Sequence, residues 1–557
     1  MQSATEANWG REVDAVVVGS GGSGLLAALA ASDAGAETLV LEKAPALGGA
    51  TAVSGGAMWL PNSEPLLEEL GEMEREKLVS YVRNVAGDRV PQPMIERFVD
   101  ASPGVADYIA EKTALDLDFS GYPDYHPEWE GGHPKGQTIE PGLYNGTRLG
   151  DNLDDVRNNP QTPIPTSIGE MMDSGGMAKF PVVADWGELK QRWADDVLGT
   201  GRALIAGLYE ACLDDGVEFE MNAPAQNLVT DDDGAVVGVV ALIDGAETAI
   251  RAESVVIATG GMEWDEEMCE NFLAGPMNAP TSPPHNEGDG IEMGMDVGAK
   301  LGNMNEAWWC PAGRVPGEEW ADGSPLYRIL LAERTLPGTV MVNEDGERFC
   351  NESGNYVDLG KTFREFDPHE YDYANLPAYV IFDNSAREQY AMLTVMPDED
   401  DPEWLTSADT LRELAEKKDV DPDGLEAQIE RFNEYASEGH DPEYHRGESA
   451  HDTRTGDRDA DHPNLGPVDE PPYYAIDVYA GSIGTKGGLV TTPDGEVVDV
   501  DEEPIAGLYA ASNSTAHVMG IGYAGGGGTI GPNVVFGYLA GRAAADNALE
   551  RTVTPRI

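Results

Sequence analysis

The sequence predicts an α/β fold: a Rossmann-like dinucleotide-binding domain interrupted by an inserted α+β domain. Three observations carry that prediction. An apolar run of strand length, Val13 to Val18, meets the turn Gly19-Ser20-Gly21-Gly22-Ser23-Gly24, and a Leu- and Ala-rich stretch from Leu25 to Ala34 follows and stops at Gly35. A second buried-strand pattern, Val255 to Ile257, runs into the small residues Ala258-Thr259-Gly260-Gly261. Between residues 276 and 475 the texture changes to long loops, tryptophans and acidic helices before glycine-rich motifs return. The expected organisation is 1–275 for the first part of the cofactor domain, 276–475 for the inserted catalytic domain and 476–557 for the return segment.

The first element defines a ligand class. Gly19, Gly21 and Gly24 permit a tight turn and let backbone amides approach a pyrophosphate at a helix N-terminus. Leu39-Val40-Leu41 makes the next strand, and Glu42, beside Lys43, closes it where a ribose-binding acid belongs. Leu47-Gly48-Gly49-Ala50-Thr51 and Ser54-Gly55-Gly56 add a second small-residue loop. Such a loop suits the pyrophosphate and ribityl chain of a longer cofactor, which favours FAD over NAD. Thr259, Gly260 and Gly261 would press backbone against the same ligand, and Asp289 of Gly288-Asp289-Gly290 would return to it.

Composition excludes several partners. Lys plus Arg number 35 against 101 Asp plus Glu, a net charge of −66. That charge repels nucleic acid and anionic membranes. It is spread along the chain, and 41% of residues are hydrophobic, so the pattern is that of a folded protein adapted to salt rather than of disorder. The four cysteines form no CxxC, and no apolar run reaches membrane-spanning length. A soluble protein in the cytoplasm of a salt-accumulating halophile is expected, with no signal peptide and no transmembrane segment.

Further along, Leu66 to Val85 is amphipathic. In Gly121-Tyr122-Pro123-Asp124-Tyr125-His126 a Pro-Asp turn would hold two tyrosines, while His126 and His133 lack ligand-like partners. Arg202 to Cys212 has the spacing of a core helix. Val217 to Met221 reads as a strand, and two more flank the turn Asp231 to Gly234. Arg334-Thr335-Leu336-Pro337-Gly338, Val340–Asn343, then Gly346-Glu347-Arg348-Phe349 and Asn351-Glu352-Ser353 read as strand, turn and strand, with Tyr356 just beyond. Asp398 to Glu403 is a solvated acidic surface. His440, His445, His451 and His462 are irregularly spaced among charges and read as a solvated loop rather than a metal site.

The last segment passes from Gly487-Gly488-Leu489-Val490 to Gly507–Asn513. It then enters Gly520-Ile521-Gly522-Tyr523-Ala524-Gly525-Gly526-Gly527-Gly528-Thr529-Ile530-Gly531, followed by an apolar helix from Val534. A run this rich in glycine lowers stability, which points to a ligand needing close backbone approach. Asn513, Gly531 and Val534 join the cofactor candidates.

The order of these motifs resembles that of FAD enzymes of the fumarate reductase superfamily, and most of all the 3-ketosteroid Δ1-dehydrogenases. Tyr125, Tyr356 and Tyr523 stand in the three contexts of that family's catalytic tyrosines, and Gly527 stands where its oxyanion-binding glycine does. The resemblance implies that Tyr523 and the Gly527 amide grip a ketone oxygen. Tyr356, tuned by Tyr125, takes the neighbouring proton, and a hydride passes to the flavin. It implies a steroid-like ketone substrate and an external electron acceptor. Two departures are visible. Ala524 and Gly526 replace family prolines and Asn355 replaces the proline before Tyr356, so prolines do not stiffen these loops. The alternatives are a Δ4-dehydrogenase, a fumarate reductase-like enzyme and a flavin-binding electron carrier. Against the second, Ile483, Gly484 and Tyr523 stand where carboxylate-binding histidine and arginine would be.

Overall fold

The computed structural model describes all residues except 1, 6, 177, 178 and 554–557. Its first sheet is built around β1 (Trp9–Val18), which leads through the glycine turn into α1 (Gly22–Asp33) and back to β2 (Thr38–Glu42). Helix α2 (Thr200–Asp214) precedes β3 (Glu218–Met221), β4 (Ala225–Thr230), β5 (Val236–Ile243) and β6 (Ala246–Ile257). Strand β6 pairs in parallel with β1, placing Ile257 beside Val18, while β1 aligns Val18 with Leu41 of β2.

Alternation decides which side of this sheet each residue meets. Val17, Val40 and Val256 face a core shared with α1 and α2. Val16, Val18, Leu39, Leu41, Val255 and Ile257 face a second core behind the sheet. Strands buried on both faces account for the uninterrupted apolar runs in the sequence.

The second sheet is antiparallel except for the short strand Ala279–Pro280, which pairs in parallel. It contains β7 (Ala307–Glu319), β8 (Thr339–Asn343), β9 (Ala378–Asp383) and β10 (Tyr473–Thr485), with β10 between β7 and β9. Its two faces carry separate apolar cores. Strand β10 hands the chain back to β11 (Pro504–Ala510), which pairs in parallel with β6. Helix α3 (Ile530–Val553) then packs along α1 so closely that a Cβ on Gly537 would stand 2.4 Å from the Ser23 carbonyl. Among the described residues no helix is long and apolar enough to cross a membrane.

Several expectations change. The amphipathic stretch is two helices, Glu64–Leu70 and Arg75–Ala86, separated after Gly71, whose φ of +75° no helix accommodates. The second strand expected over 346–353 is a loop, because β8 pairs with β9 instead. A buried ion cluster holds that loop. Arg348 reaches Glu352 at 2.7 Å and Asp441 at 2.8 Å, and Arg446 adds a contact to Glu352 at 3.3 Å. Burial raises the Glu352 carboxyl, and the two guanidiniums overcome that and hold it below its usual range. His451, expected in solvent, is buried at 2% exposure. His440, His445 and His462 are exposed.

Removing one member of a buried charge cluster leaves the others uncompensated. Arg348→Leu is expected to lower unfolding free energy by about 3–5 kcal/mol, read as a shift in denaturant midpoint. An unchanged midpoint would show that Arg446 alone satisfies Glu352.

Candidate functional site

Because β1, β2, β6 and β11 run in parallel, their carboxyl ends open on one edge, where an open α/β sheet binds ligands. A cavity of about 810 Å³ starts at this edge and runs toward the second sheet. Its near end is lined by Gly19, Gly21, Glu42, Lys43, Ala50, Thr51, Ser54, Gly55, Gly56, Thr259, Gly260, Asp289 and Asn513. Gly24, Gly48, Gly49, Gly261, Gly531 and Val534 do not line it. Gly24 is bare because a Cβ there would stand 2.1 Å from the Gly19 carbonyl, and Gly531 because one would stand 2.4 Å from the Trp59 carbonyl. Gly48 is left-handed at the cap of a short helix, Gly49 follows it beside Gly21, Gly261 abuts Thr485, and Val534 is core. These residues shape the turns and packing that support the wall.

The near end fits FAD. Helix α1 has Gly21 as its N-cap, with no side chain to cap it; the Gly22 amide donates to the Thr51 hydroxyl at 3.2 Å, and a Cβ on Gly21 would have open space in front of it, so the N-terminal dipole is open to an anion. The Thr259 hydroxyl is buried there without a protein partner. Glu42 accepts hydrogen bonds from the Ser20 amide at 3.1 Å, the Ser20 hydroxyl at 2.6 Å and the Ala44 amide at 2.8 Å. That network fixes the carboxylate on the wall. Lys43 bridges Glu287 at 2.7 Å and Asp289 at 2.6 Å.

At the far end Tyr125, Tyr356 and Tyr523, from three distant segments, meet edge to face with ring centroids 5.0–5.9 Å apart. The Tyr356 hydroxyl donates to that of Tyr523 at 3.3 Å, and the Thr529 hydroxyl donates to Tyr523 at 3.0 Å. Burial raises all three phenols, Tyr125 and Tyr356 well above the ordinary value. The buried Arg334 guanidinium opposes this at Tyr125. Tyr356 opens the helix Tyr356–Gly360, and Asn355 caps it by accepting the Asp358 amide at 2.9 Å. A cap thus replaces the missing proline.

The glycine-rich loop is held by hydrogen bonds. Its Ala524 carbonyl accepts the Tyr125 amide at 3.0 Å and the Tyr81 hydroxyl at 2.6 Å. Thr138 donates to the Gly526 carbonyl at 2.7 Å and the Trp59 amide to the Gly527 carbonyl at 3.0 Å. Gly527 has φ +81°, and a Cβ there would lie 2.5 Å from the Ala57 backbone. Gly527 lines the cavity, and its N–H has no hydrogen-bond partner among the described residues. Behind Tyr523, Trp308 packs at 4.8 Å, with the buried Lys486 ammonium 4.2 Å from its ring. Sequence reasoning missed Arg334, Thr529 and His451 as neighbours of the tyrosines. The Arg334 motif was visible, whereas His451 carried no signal distinguishing it from its exposed neighbours.

The chain matches the family model for the FAD binding domain over residues 14–530. It is 39% identical to 4-oxocyclohexanecarboxylate 2-dehydrogenase of Sinomonas cyclohexanicum, over 96% of this chain and 93% of that one. It is 36% identical to 3-oxosteroid 1-dehydrogenase of Mycolicibacterium smegmatis, over 95% and 97%. The crystal structure of 3-ketosteroid Δ1-dehydrogenase from Sterolibacterium denitrificans, in complex with 1,4-androstadiene-3,17-dione, superposes with a TM-score of 0.89 at 34% identity, covering 96% of this chain and all of that one. A glycine-capped helix N-terminus at the strand ends, a cavity of about 810 Å³ beside it and these matches over nearly the whole length agree. The chain belongs to the FAD-binding family of the fumarate reductase superfamily, with FAD as its cofactor, in the group of CH–CH oxidoreductases that includes the 3-oxosteroid 1-dehydrogenases.

Proposed function

We propose that this protein desaturates the ring bond beside the ketone of a 3-ketosteroid-like substrate, in the manner of a Δ1-dehydrogenase. The observation that carries this reading is that Tyr523 and Tyr356, hydrogen-bonded to each other, line the same cavity as the dinucleotide loops together with Gly527, whose amide has no partner among the described residues. Donors placed where an enolate oxygen develops its charge make the neighbouring carbon acidic. Tyr523 and the Gly527 amide hold that oxygen, and Tyr356 receives the proton. Burial keeps the phenols protonated at rest, so Tyr356 takes a proton only as its own moves on to a neighbour. When bound, FAD supplies the two-electron acceptor for the hydride lost from the adjacent carbon, and an acceptor outside this chain completes the cycle.

A bulky neutral ketone suits the cavity better than a small keto acid. Ile164, Ile168, Met171, Phe180, Trp186 and Leu393 line its far part. Its only lining lysine and arginine, among the described residues, are Lys43, engaged by two carboxylates, and Arg328, engaged by Glu318 at 2.7 Å. Glu333 adds a further carboxyl to the wall. A carboxylated cyclohexanone or an unsaturated acid would therefore meet no free lysine or arginine there.

We also read the net charge of −66 as adaptation to the salt-rich cytoplasm of a halophile. Raising ionic strength from about 0.1 M to about 1 M shortens the screening length from about 10 Å to about 3 Å, which relieves self-repulsion. The thermal midpoint is expected to rise steadily over that range of KCl. A flat or falling midpoint contradicts the salt reading.

Anaerobic addition of a saturated 3-ketosteroid is expected to bleach the visible flavin bands and yield the 1,2-unsaturated ketone. Tyr356→Phe should slow bleaching by about 10²–10⁴-fold with flavin content unchanged. Bleaching by 4-oxocyclohexanecarboxylate with a higher kcat/KM than any steroid would overturn the substrate reading. A 4,5-unsaturated product would move the reaction to the other ring bond.

A further inference from the structure

His451 is a buried titratable group beside the tyrosines with no part in the proposed chemistry. It lies in the helix Ala450–Thr455, at 2% exposure, and neither ring nitrogen has a hydrogen-bond partner. A buried imidazole left unsatisfied is costly and needs an explanation. Its position suggests one. The ring stands edge to face against Tyr125 at 4.9 Å and Tyr122 at 6.0 Å, and Tyr125 in turn meets Tyr356 at 5.9 Å. The order in space is substrate wall, Tyr356, Tyr125, His451.

One carboxylate and several polar groups stand around this ring. The Asp452 carboxylate lies 3.7 Å from Nδ1, longer than a hydrogen bond and placed to stabilise an imidazolium once one forms. Asp452 is fixed by the Ser449 hydroxyl at 2.8 Å, the Asn351 amide at 2.9 Å and the Gly447 amide at 3.0 Å. The other charged or titratable groups around it are Tyr122 and Tyr125 from the Pro-Asp turn, Arg334, whose field reaches both phenols, and Arg446, whose field reaches Asp452.

Resting on the proposed tyrosine chemistry, we propose that His451 acts through Tyr125 as the final acceptor of the proton taken from the substrate. The substrate α-proton bonds to the Tyr356 oxygen as the Tyr356 hydroxyl proton passes to Tyr125, and the Tyr125 proton passes to a His451 nitrogen once the imidazole turns to accept from that hydroxyl. One proton enters the chain and one rests on the imidazole, which becomes imidazolium beside Asp452. No phenolate persists in the buried cluster. The second hydrogen leaves the substrate with its electron pair to the cofactor, as in the reaction above. The relay needs a neutral imidazole, so the proton step is blocked wherever the ring is already protonated and is released as that proton is lost.

The proton step is measured alone in the holoenzyme with its flavin chemically reduced, where hydride cannot be accepted. Incubation of a saturated 3-ketosteroid in D₂O then reads α-hydrogen exchange by mass. The unmodified protein should show a rising limb with pH that His451→Phe abolishes, with exchange at the plateau slowed at least tenfold. His451→Gln, which keeps a polar side chain, covers the case in which the first variant fails to fold and should also lose the limb. A limb that survives in place in either folded variant, or a uniform slowing at every pH, overturns the relay and leaves His451 as packing. Tyr356→Phe separates the two ideas: if it exchanges like the unmodified protein, the tyrosine chemistry itself fails, whatever His451 does.

Discussion

The hydrogen bond from the Tyr125 amide to the Ala524 carbonyl, 3.0 Å long, joins the two loops on which the site depends. On one side, Asp124 stiffens the turn that presents Tyr125. Its carboxylate accepts the Trp59 indole at 2.8 Å, the His133 amide at 2.8 Å and the Gln137 side chain at 2.9 Å, and burial pushes its pKa up to about 6. On the other side the same Ala524 carbonyl takes the Tyr81 hydroxyl, and neighbouring carbonyls are held by Thr138, Trp59 and Lys486. A chain this rich in glycine would otherwise sample many conformations. Backbone pinning gives Gly527 a fixed amide direction without prolines.

The electrostatics of the cluster follow from its dryness. Burial pushes each phenol up, which keeps it a hydrogen-bond donor at rest and makes a lone phenolate costly. Arg334 offsets part of that cost, while its own guanidinium ties down the approach to Tyr356 by donating to the Leu330 carbonyl at 2.7 Å and the Gly354 carbonyl at 2.9 Å. One buried cation therefore serves both geometry and charge. Behind Trp308, burial pushes the Lys486 ammonium well below its ordinary value, so it acts chiefly as a donor to the Gly522 carbonyl at 2.6 Å.

The glycine fingerprint was legible in the sequence because its residues are dictated locally. A Cβ on Gly19 would collide with the Ala258 carbonyl at 2.3 Å, so the strand–turn–helix leaves its mark on neighbouring positions. The tyrosines were legible only through resemblance, since nothing local separates Tyr125 from Tyr122. His451 was illegible. It sits among Ser, Asp, Thr and Arg, the composition of a solvated loop, and is buried by segments that the chain meets hundreds of residues earlier. The loop at 346–353 misled for the opposite reason. Its alternating Glu347-Arg348-Phe349-Cys350 looks like a strand edge, yet Arg348 is the centre of a buried ion cluster.

The central claim is that one ketone oxygen is shared by Tyr523 and the Gly527 amide on the wall that faces the dinucleotide loops. A crystal structure of the FAD-loaded protein with an unsaturated 3-ketosteroid tests it most directly. The account predicts the ketone oxygen about 2.7–3.1 Å from both the Tyr523 hydroxyl and the Gly527 nitrogen, with Tyr356 over the adjacent carbon. A ketone held elsewhere, with Gly527 bonded to water and the steroid ring away from Tyr356, would contradict it.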